Sequence, residues 1–259
     1  MSKADRTNLE EVEVRLRRFR MSSMANMLKN MKEDGSINKM SAQTVLDCLT
    51  IEEDQTRKIR RAKRLASGSG LFYPSASVSG IIKYKGQRMN MSLLDSLLTC
   101  EFVQSEQPVW ILGSSGTGKT YVCSAIGNQV CNLQYSVKYF ATSNFFLHCA
   151  EADSEGRFYK FIHDMCQKNV IILDDFLLTG VTFTQATYLF ELLNYPKNSL
   201  KPRTIIICSQ LMEEEMRLRL AEVSPSLAEA IMSRLKAKRL VLEISGKDMR
   251  LDSTNKETK

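Results

Sequence analysis

No stretch of this 259-residue sequence approaches the roughly 20 consecutive apolar residues of a membrane-spanning helix. The opening residues, Met1-Ser2-Lys3-Ala4-Asp5, mix both charge signs and lack the apolar core of a secretory signal. A cytoplasmic protein without membrane attachment is expected. Metal-ligand spacing is lacking too. The seven cysteines (Cys48, Cys100, Cys123, Cys131, Cys149, Cys166 and Cys208) are odd in number and never form Cys-x-x-Cys, which argues against both a disulfide framework and a zinc site. The two histidines, His148 and His163, have no companion at ligand spacing and are expected to be structural.

What is present is an ordinary globular composition, 43% apolar and 25% charged, long enough for one good core and a small second domain. The net charge of +7 is unevenly placed. Residues 1–70 carry 15 Lys and Arg against 10 Asp and Glu, residues 71–233 carry 13 against 15, and residues 234–259 carry 8 against 4. A nearly neutral middle is flanked by two basic ends. Such ends suit phosphate-backbone contact, and they equally suit solvated helical faces.

Leu9, Val12, Leu16, Phe19, Met24, Leu28 and Met31 fall at three- to five-residue steps, the spacing of one helical stripe, which Asp34-Gly35-Ser36 ends. A second helix is expected from near Ser41. Thr50-Ile51-Glu52-Glu53 has the form of a capping box for a third. That third helix would carry the basic tract Arg57, Lys58, Arg60, Arg61, Lys63 and Arg64. Ser67-Gly68-Ser69-Gly70 has the composition of a flexible linker. We therefore expect an N-terminal helical domain at 1–66, a linker and lead-in at 67–92, and a main domain at 93–259. In the main domain, apolar strands are expected at 109–112, 137–140, 170–173, 204–208 and 240–244, separated by helices. That alternation predicts an α/β fold with a central parallel five-stranded sheet flanked by helices.

Gly113-Ser114-Ser115-Gly116-Thr117-Gly118-Lys119-Thr120 matches the eight-position phosphate-loop pattern in full, between an expected strand and an expected helix. Glycines let successive N–H groups face one point, and the helix adds its positive end. Lys119 is expected on the β- and γ-phosphates, and Thr120 on Mg²⁺. Tyr121 completes the candidate nucleotide contacts. Val170-Ile171-Ile172-Leu173-Asp174-Asp175 is an apolar strand ending in two carboxylates. Ligands of parallel sheets bind at the strands' carboxyl ends, so Asp174 is expected to hold the magnesium and Asp175 to orient or deprotonate the attacking water. The guanine-reading Asn-Lys-x-Asp is absent, which favours ATP.

With these motifs in place, the chain resembles the AAA+ class of P-loop ATPases, and within it the IstB/DnaC-type branch. Besides the glycine loop and the carboxylate pair, the resemblance is carried by residues 204–210, by 227–235 (Leu-Ala-Glu-Ala-Ile-Met-Ser-Arg-Leu) and by 246–251 (Gly-Lys-Asp-Met-Arg-Leu). It implies that Gln210 stands at sensor 1, where Asn is usual, and that Asp175 stands where many members use Glu. It implies that Arg234 reaches a neighbouring subunit's ATP, on a helix with a possible capping box at Ser226 and Glu229. It implies that Arg250 is the sensor 2 residue at the γ-phosphate.

The function expected from this is an ATP-hydrolysing helper of transposition, assembling on duplex DNA without base reading and engaging a transposase. A replicative helicase loader and a nucleotide-switched adaptor with little turnover are the alternatives. The aromatic pair Phe145 and Phe146 fits either base stacking or a buried helix face.

Overall fold

The computed structural model describes residues 3–83, 87–196 and 201–248. Two compact units divide at Ala62 and Lys63. The first unit holds α1 (Lys3–Arg18), α2 (Ser22–Glu33), a 3-10 turn at Ser36–Lys39 and α3 (Ala42–Ser69) as far as Ala62, the last residues of that helix belonging to the second unit. Leu28, Met31 and Leu49 form its small core, with Leu9, Val12 and Leu16 packed against them.

Three expectations are corrected here. The stripe from Leu9 to Met31 belongs to two helices, because Arg20 adopts φ 61 and turns the chain without glycine or proline. No helix starts at Thr50, since α3 runs unbroken for 28 residues. The Thr50 hydroxyl donates back to the Leu46 and Asp47 carbonyls, the mid-helix use of a residue that also suits a cap. Ser67-Gly68-Ser69 is the last turn of α3 rather than a linker, ended by Gly70 at φ 74.

Glu53, buried inside this unit, explains the rest of the misread box. Its Oε2 accepts from the backbone N–H groups of Ser23 and Met24 at 3.2 and 3.4 Å, capping the start of α2 from another helix. Its Oε1 accepts from Arg57 Nε at 2.8 Å.

In the second unit the elements continue as α4 (Val78–Lys83), β1 (Gln87–Arg88), α5 (Met91–Leu98), α6 (Glu101–Gln104) and β2 (Val109–Leu112). Next come α7 (Lys119–Asn132), β3 (Val137–Ala141), α8 (Thr142–Ser154), α9 (Phe158–Cys166), β4 (Val170–Asp174) and α10 (Phe183–Asn194). The last are β5 (Thr204–Ser209), α11 (Glu213–Ala221), α12 (Pro225–Lys236), β6 (Leu240–Glu243) and β7 (Ser245–Gly246). Five strands form one parallel sheet in the order β3-β4-β5-β2-β6, as the alternating pattern predicts. Strands β2, β4 and β5 are buried at every position, so continuous apolar runs are what this covered sheet demands. β1 and β7 form a separate two-stranded pair.

The two faces of the sheet have separate cores. On one, Trp110, Leu173 and Ile207 pack with α8 to α12; on the other, Ile111, Ile172 and Cys208 pack with α5 and α7. Trp110 donates its indole N–H to Leu235 O at 3.0 Å beneath the Arg239 guanidinium, which lies 4.4 Å from the ring centroid. Phe145 and Phe146 are buried, at 0% and 7% exposure, which removes them from base stacking. α12 is capped by Ser224, whose hydroxyl accepts from Leu227 N with Pro225 following, and not by Ser226.

The Glu53 cap generates a stability prediction. Burial pushes its carboxyl up, but the Arg57 hydrogen bond and charge and the two N–H donors outweigh that, leaving it below the ordinary 4.5. Its contribution is therefore complete above that value and fades as acid protonates the folded form. Glu53→Ala is expected to cost about 1–3 kcal/mol in urea unfolding followed by circular dichroism, with a smaller loss for Glu53→Gln. The Ala penalty should shrink as the pH is taken below about 4.

Candidate functional site: a phosphate loop and a carboxylate pair on one sheet edge

β2 ends at Leu112, and the glycine loop turns from it into α7. Gly113 is fixed by close approach: a Cβ there would lie 2.2 Å from the Ile244 carbonyl oxygen, a backbone atom that cannot swing aside. Gly116 is fixed by conformation, at φ 75, and the Asp248 carboxylate lies against it. Ser114 and Ser115 are exposed, whereas Thr117 and Lys119 are 1% and 6% exposed. Thr117 Oγ1 donates to Ser114 O at 2.9 Å, and Gln87 of β1 donates to the Thr117 carbonyl, so the loop is held from within and from the flank.

Lys119 Nζ donates to Gly113 O at 2.7 Å and Ser114 O at 2.8 Å, folding the ammonium back over the loop. Thr120 lies in the first turn of α7, and Tyr121 beside it packs its ring 5.6 Å from Tyr73 and accepts from Ser77 N. The glycine loop and the start of α7 make an anion cradle.

The carboxylate pair lies two strands away, across β5. Asp174 is 2% exposed and oriented by two donors: Tyr139 OH reaches Oδ2 at 2.8 Å, and Asp175 N reaches Oδ1 at 3.0 Å. Thr142 Oγ1 donates to its carbonyl at 2.7 Å. Asp175 is exposed and adopts φ 50. Desolvation, and then the Asp174 charge, push its carboxyl up, while Lys119 pulls it down. The loop lysine and both acids thus act on one another across a single sheet edge.

Behind Asp174, the thiols of Cys123 and Cys208 and the carboxylate lie within 4.8 Å of one another. Burial raises both thiols, so they stay protonated. A carboxylate oxygen from Asp174, with a hydroxyl such as that of Thr120, is a hard donor set that suits magnesium. Spacing in the sequence gave no hint of this cluster, because its members come from α7, β4 and β5.

Gln210 leaves the end of β5, between the glycine-loop strand and the carboxylate strand. Arg234 is not brought to this edge. Its Nη2 donates to Asn194 Oδ1 at 2.7 Å and its Nη1 to Ala230 O at 2.7 Å, with Phe190 below at 5.0 Å. It lines a cavity of about 240 Å³ with Pro108, Thr204 and Arg203, at the strands' amino ends. Arg250 lies outside the described residues.

On α3, Arg57 pairs with Glu53 and Lys58 with Asp54. Arg60, Arg61, Lys63 and Arg64 have no ion-pair partner among the described residues. No helix among the described residues is long and apolar enough to cross a membrane.

Comparison with known proteins matches this arrangement to one family. The family model for IstB-like ATP binding proteins covers residues 14–257. An insertion-sequence ATP-binding protein of Pseudomonas fluorescens is 26% identical over 76% of this chain and 84% of its own length. One from Sinorhizobium fredii is 23% identical over 91% and 92%. Among solved structures, DnaI aligns with a TM-score of 0.55 at 19% identity, covering 73% of this chain and 98% of that one. AMPPCP-bound DnaA from Aquifex aeolicus aligns with a TM-score of 0.53 at 22% identity, and the chain spans 56% of that protein's length. These likenesses are of fold. Sheet order, glycine loop, carboxylate pair and family match agree, and the chain belongs to the IstB-like ATP binding proteins.

Proposed function

We propose that this ATPase assembles on duplex DNA in its ATP-bound state and serves a transposase as its helper. The supporting observation is the likeness to insertion-sequence ATP-binding proteins over most of their length, joined to four cations on α3 that have no ion-pair partner among the described residues. Guanidinium and ammonium groups without internal partners can meet phosphates at no cost in broken ion pairs, and contacts of this kind carry no base information.

At the nucleotide, the glycine loop and the start of α7 receive the β- and γ-phosphates. Lys119 exchanges its two carbonyl acceptors for phosphate oxygens, which is a gain because a charged acceptor bonds a cation more strongly than a neutral one. The Thr120 hydroxyl and Asp174 would hold a magnesium ion, which would supply charge neutralisation at the phosphates. Tyr139 and the Asp175 amide keep Asp174 aimed at that place. Asp175 orients the attacking water, and Gln210 steadies it from the neighbouring strand. Arg234 serves the site of an adjacent subunit, which agrees with its place away from this chain's own loop. A guanidinium supplied in trans contributes roughly 10³–10⁵ in rate in comparable NTPases. Arg250 is assigned to the γ-phosphate by the family pattern alone.

Two outcomes test the nucleotide roles together. Lys119→Ala is expected to abolish binding of a fluorescent ATP analogue. Asp175→Asn is expected to bind it within about threefold of wild type while phosphate release falls at least about a hundredfold. Analogue binding that survives the lysine change, or full turnover by the Asn variant, sinks the corresponding assignment.

The DNA role has its own test. Changing Arg60, Arg61 and Arg64 together to Ala is expected to weaken duplex binding for every sequence tried and to lower the salt slope by about 2–3. Arg57 is left in place because its loss would unsettle Glu53. An unchanged slope, with ATP-dependent assembly on a hexameric helicase instead, would favour the loader reading.

A further inference from the structure

The turn that follows the carboxylate strand is held in a costly shape. Asp175 and Leu177 both lie in the left-handed region, at φ 50 and φ 54, and neither is glycine. Each such residue costs on the order of 1–2 kcal/mol and persists only where its surroundings over-determine it. Two anchors come from β5: Phe176 N donates to Cys208 O at 2.8 Å, and Ser209 Oγ donates to Phe176 O at 2.8 Å. The turn closes on itself through Leu178 N and Asp175 O at 3.1 Å. Phe176 and Leu177 are each 1% exposed, so the core grips the turn from beneath.

The remaining anchor is a cation. Arg219, in the last turn of α11, donates from Nη1 to Leu177 O at 2.7 Å and to Leu178 O. It has no carboxylate partner among the described residues, in contrast to Arg217 on the same helix, which pairs with Glu214. A half-buried guanidinium that bonds two backbone carbonyls, with no ion pair, is directed at holding their shape. The carbonyls it holds lie two and three residues beyond Asp175, at the far side of the strained turn. α11 itself starts three residues after Gln210, so one short helix bears on both groups assigned to the water.

We propose that Arg219 is a positioning residue for ATP hydrolysis, fixing the left-handed turn that aims Asp175. This rests on the reading of Asp175 given above. Without the guanidinium, the turn keeps its β5 anchors but loses the clamp on its outer half. The strained residues then relax toward ordinary backbone, and the Asp175 carboxylate drifts from the water. Displacement on the scale of 1 Å costs up to about a hundredfold in rate, with no loss of ground-state binding required.

The test uses the full chain and steady-state ATP hydrolysis. Arg219→Ala is expected to lower kcat ten- to hundredfold, while KM for ATP and the affinity for a non-hydrolysable analogue change less than about twofold. Arg219→Lys is expected to recover part of kcat, since one ammonium can reach one of the two carbonyls. The decisive readout is the double variant. In an Asp175→Asn background, Arg219→Ala should lower the residual kcat no further, because its effect passes through that carboxylate. An unchanged kcat, a parallel loss of analogue affinity, or a full additional loss in the Asn background would each overturn the proposal. If Arg219→Ala does not fold, Arg219→Gln, which retains a two-proton amide donor, carries the same comparison. Full turnover by Asp175→Asn alone would remove the Asp175 reading itself; loss of turnover there with normal kcat in Arg219→Ala would remove only this one.

Discussion

The end of β5 is the point from which both halves of the nucleotide site hang. Ser209 O accepts from Gly113 N at 3.2 Å, fixing where the glycine loop leaves its strand. One residue earlier, Cys208 O accepts from Phe176 N at 2.8 Å, and the Ser209 hydroxyl returns to Phe176 O. The cradle and the carboxylate turn thus share one short piece of backbone, although they belong to strands that never touch. Fully buried at all six positions, β5 has no room to shift without disturbing the cores on both faces of the sheet. A fixed separation between the glycine loop and the carboxylate pair follows from that immobility.

This dependence explains which parts of the site could be read from the chain alone. The glycine loop is local: eight consecutive residues specify the turn, and the flanking strand and helix are adjacent in sequence. The same is true of Asp174 and Asp175 at the end of an apolar run. The interposition of β5 is not local, because a strand order of 3-4-5-2-6 is decided by which crossovers pack, and a continuous apolar run looks the same in every lane. The Cys123, Cys208 and Asp174 cluster was invisible for the same reason. So was Arg219, an ordinary basic residue near a helix end until the carbonyls above it are known.

Helix boundaries in the N-terminal unit were misread through polar residues with two uses. Thr50 satisfies a capping pattern and also satisfies mid-helix back-bonding, and only the tertiary partner decides between them. Glu53 has that partner in α2, thirty residues earlier in the chain. The arginines divide in a comparable way. Arg57 is bound inward to Glu53, whereas Arg60, Arg61 and Arg64 have no ion pair among the described residues. A run of six cations along one helix is therefore two structural contacts and four free charges, a distinction that net charge cannot draw.

The departures from the family pattern bear on the same geometry. Asp175 is one methylene shorter than the glutamate many relatives of this class use, and Gln210 one methylene longer than the usual asparagine. One group loses reach while the other gains it. A shorter acid depends more on its backbone for aim, because fewer side-chain torsions can correct a displaced Cα. The left-handed turn at Asp175 and Leu177, with four hydrogen bonds fixing its middle and far end, provides that aim in the main chain. Strain is stored at the acid, and the bonds that offset it come from the sensor strand and from the helix that follows that strand. Gln210 lies between those two elements, so the amide and the carboxylate are set by one connected stretch of the fold.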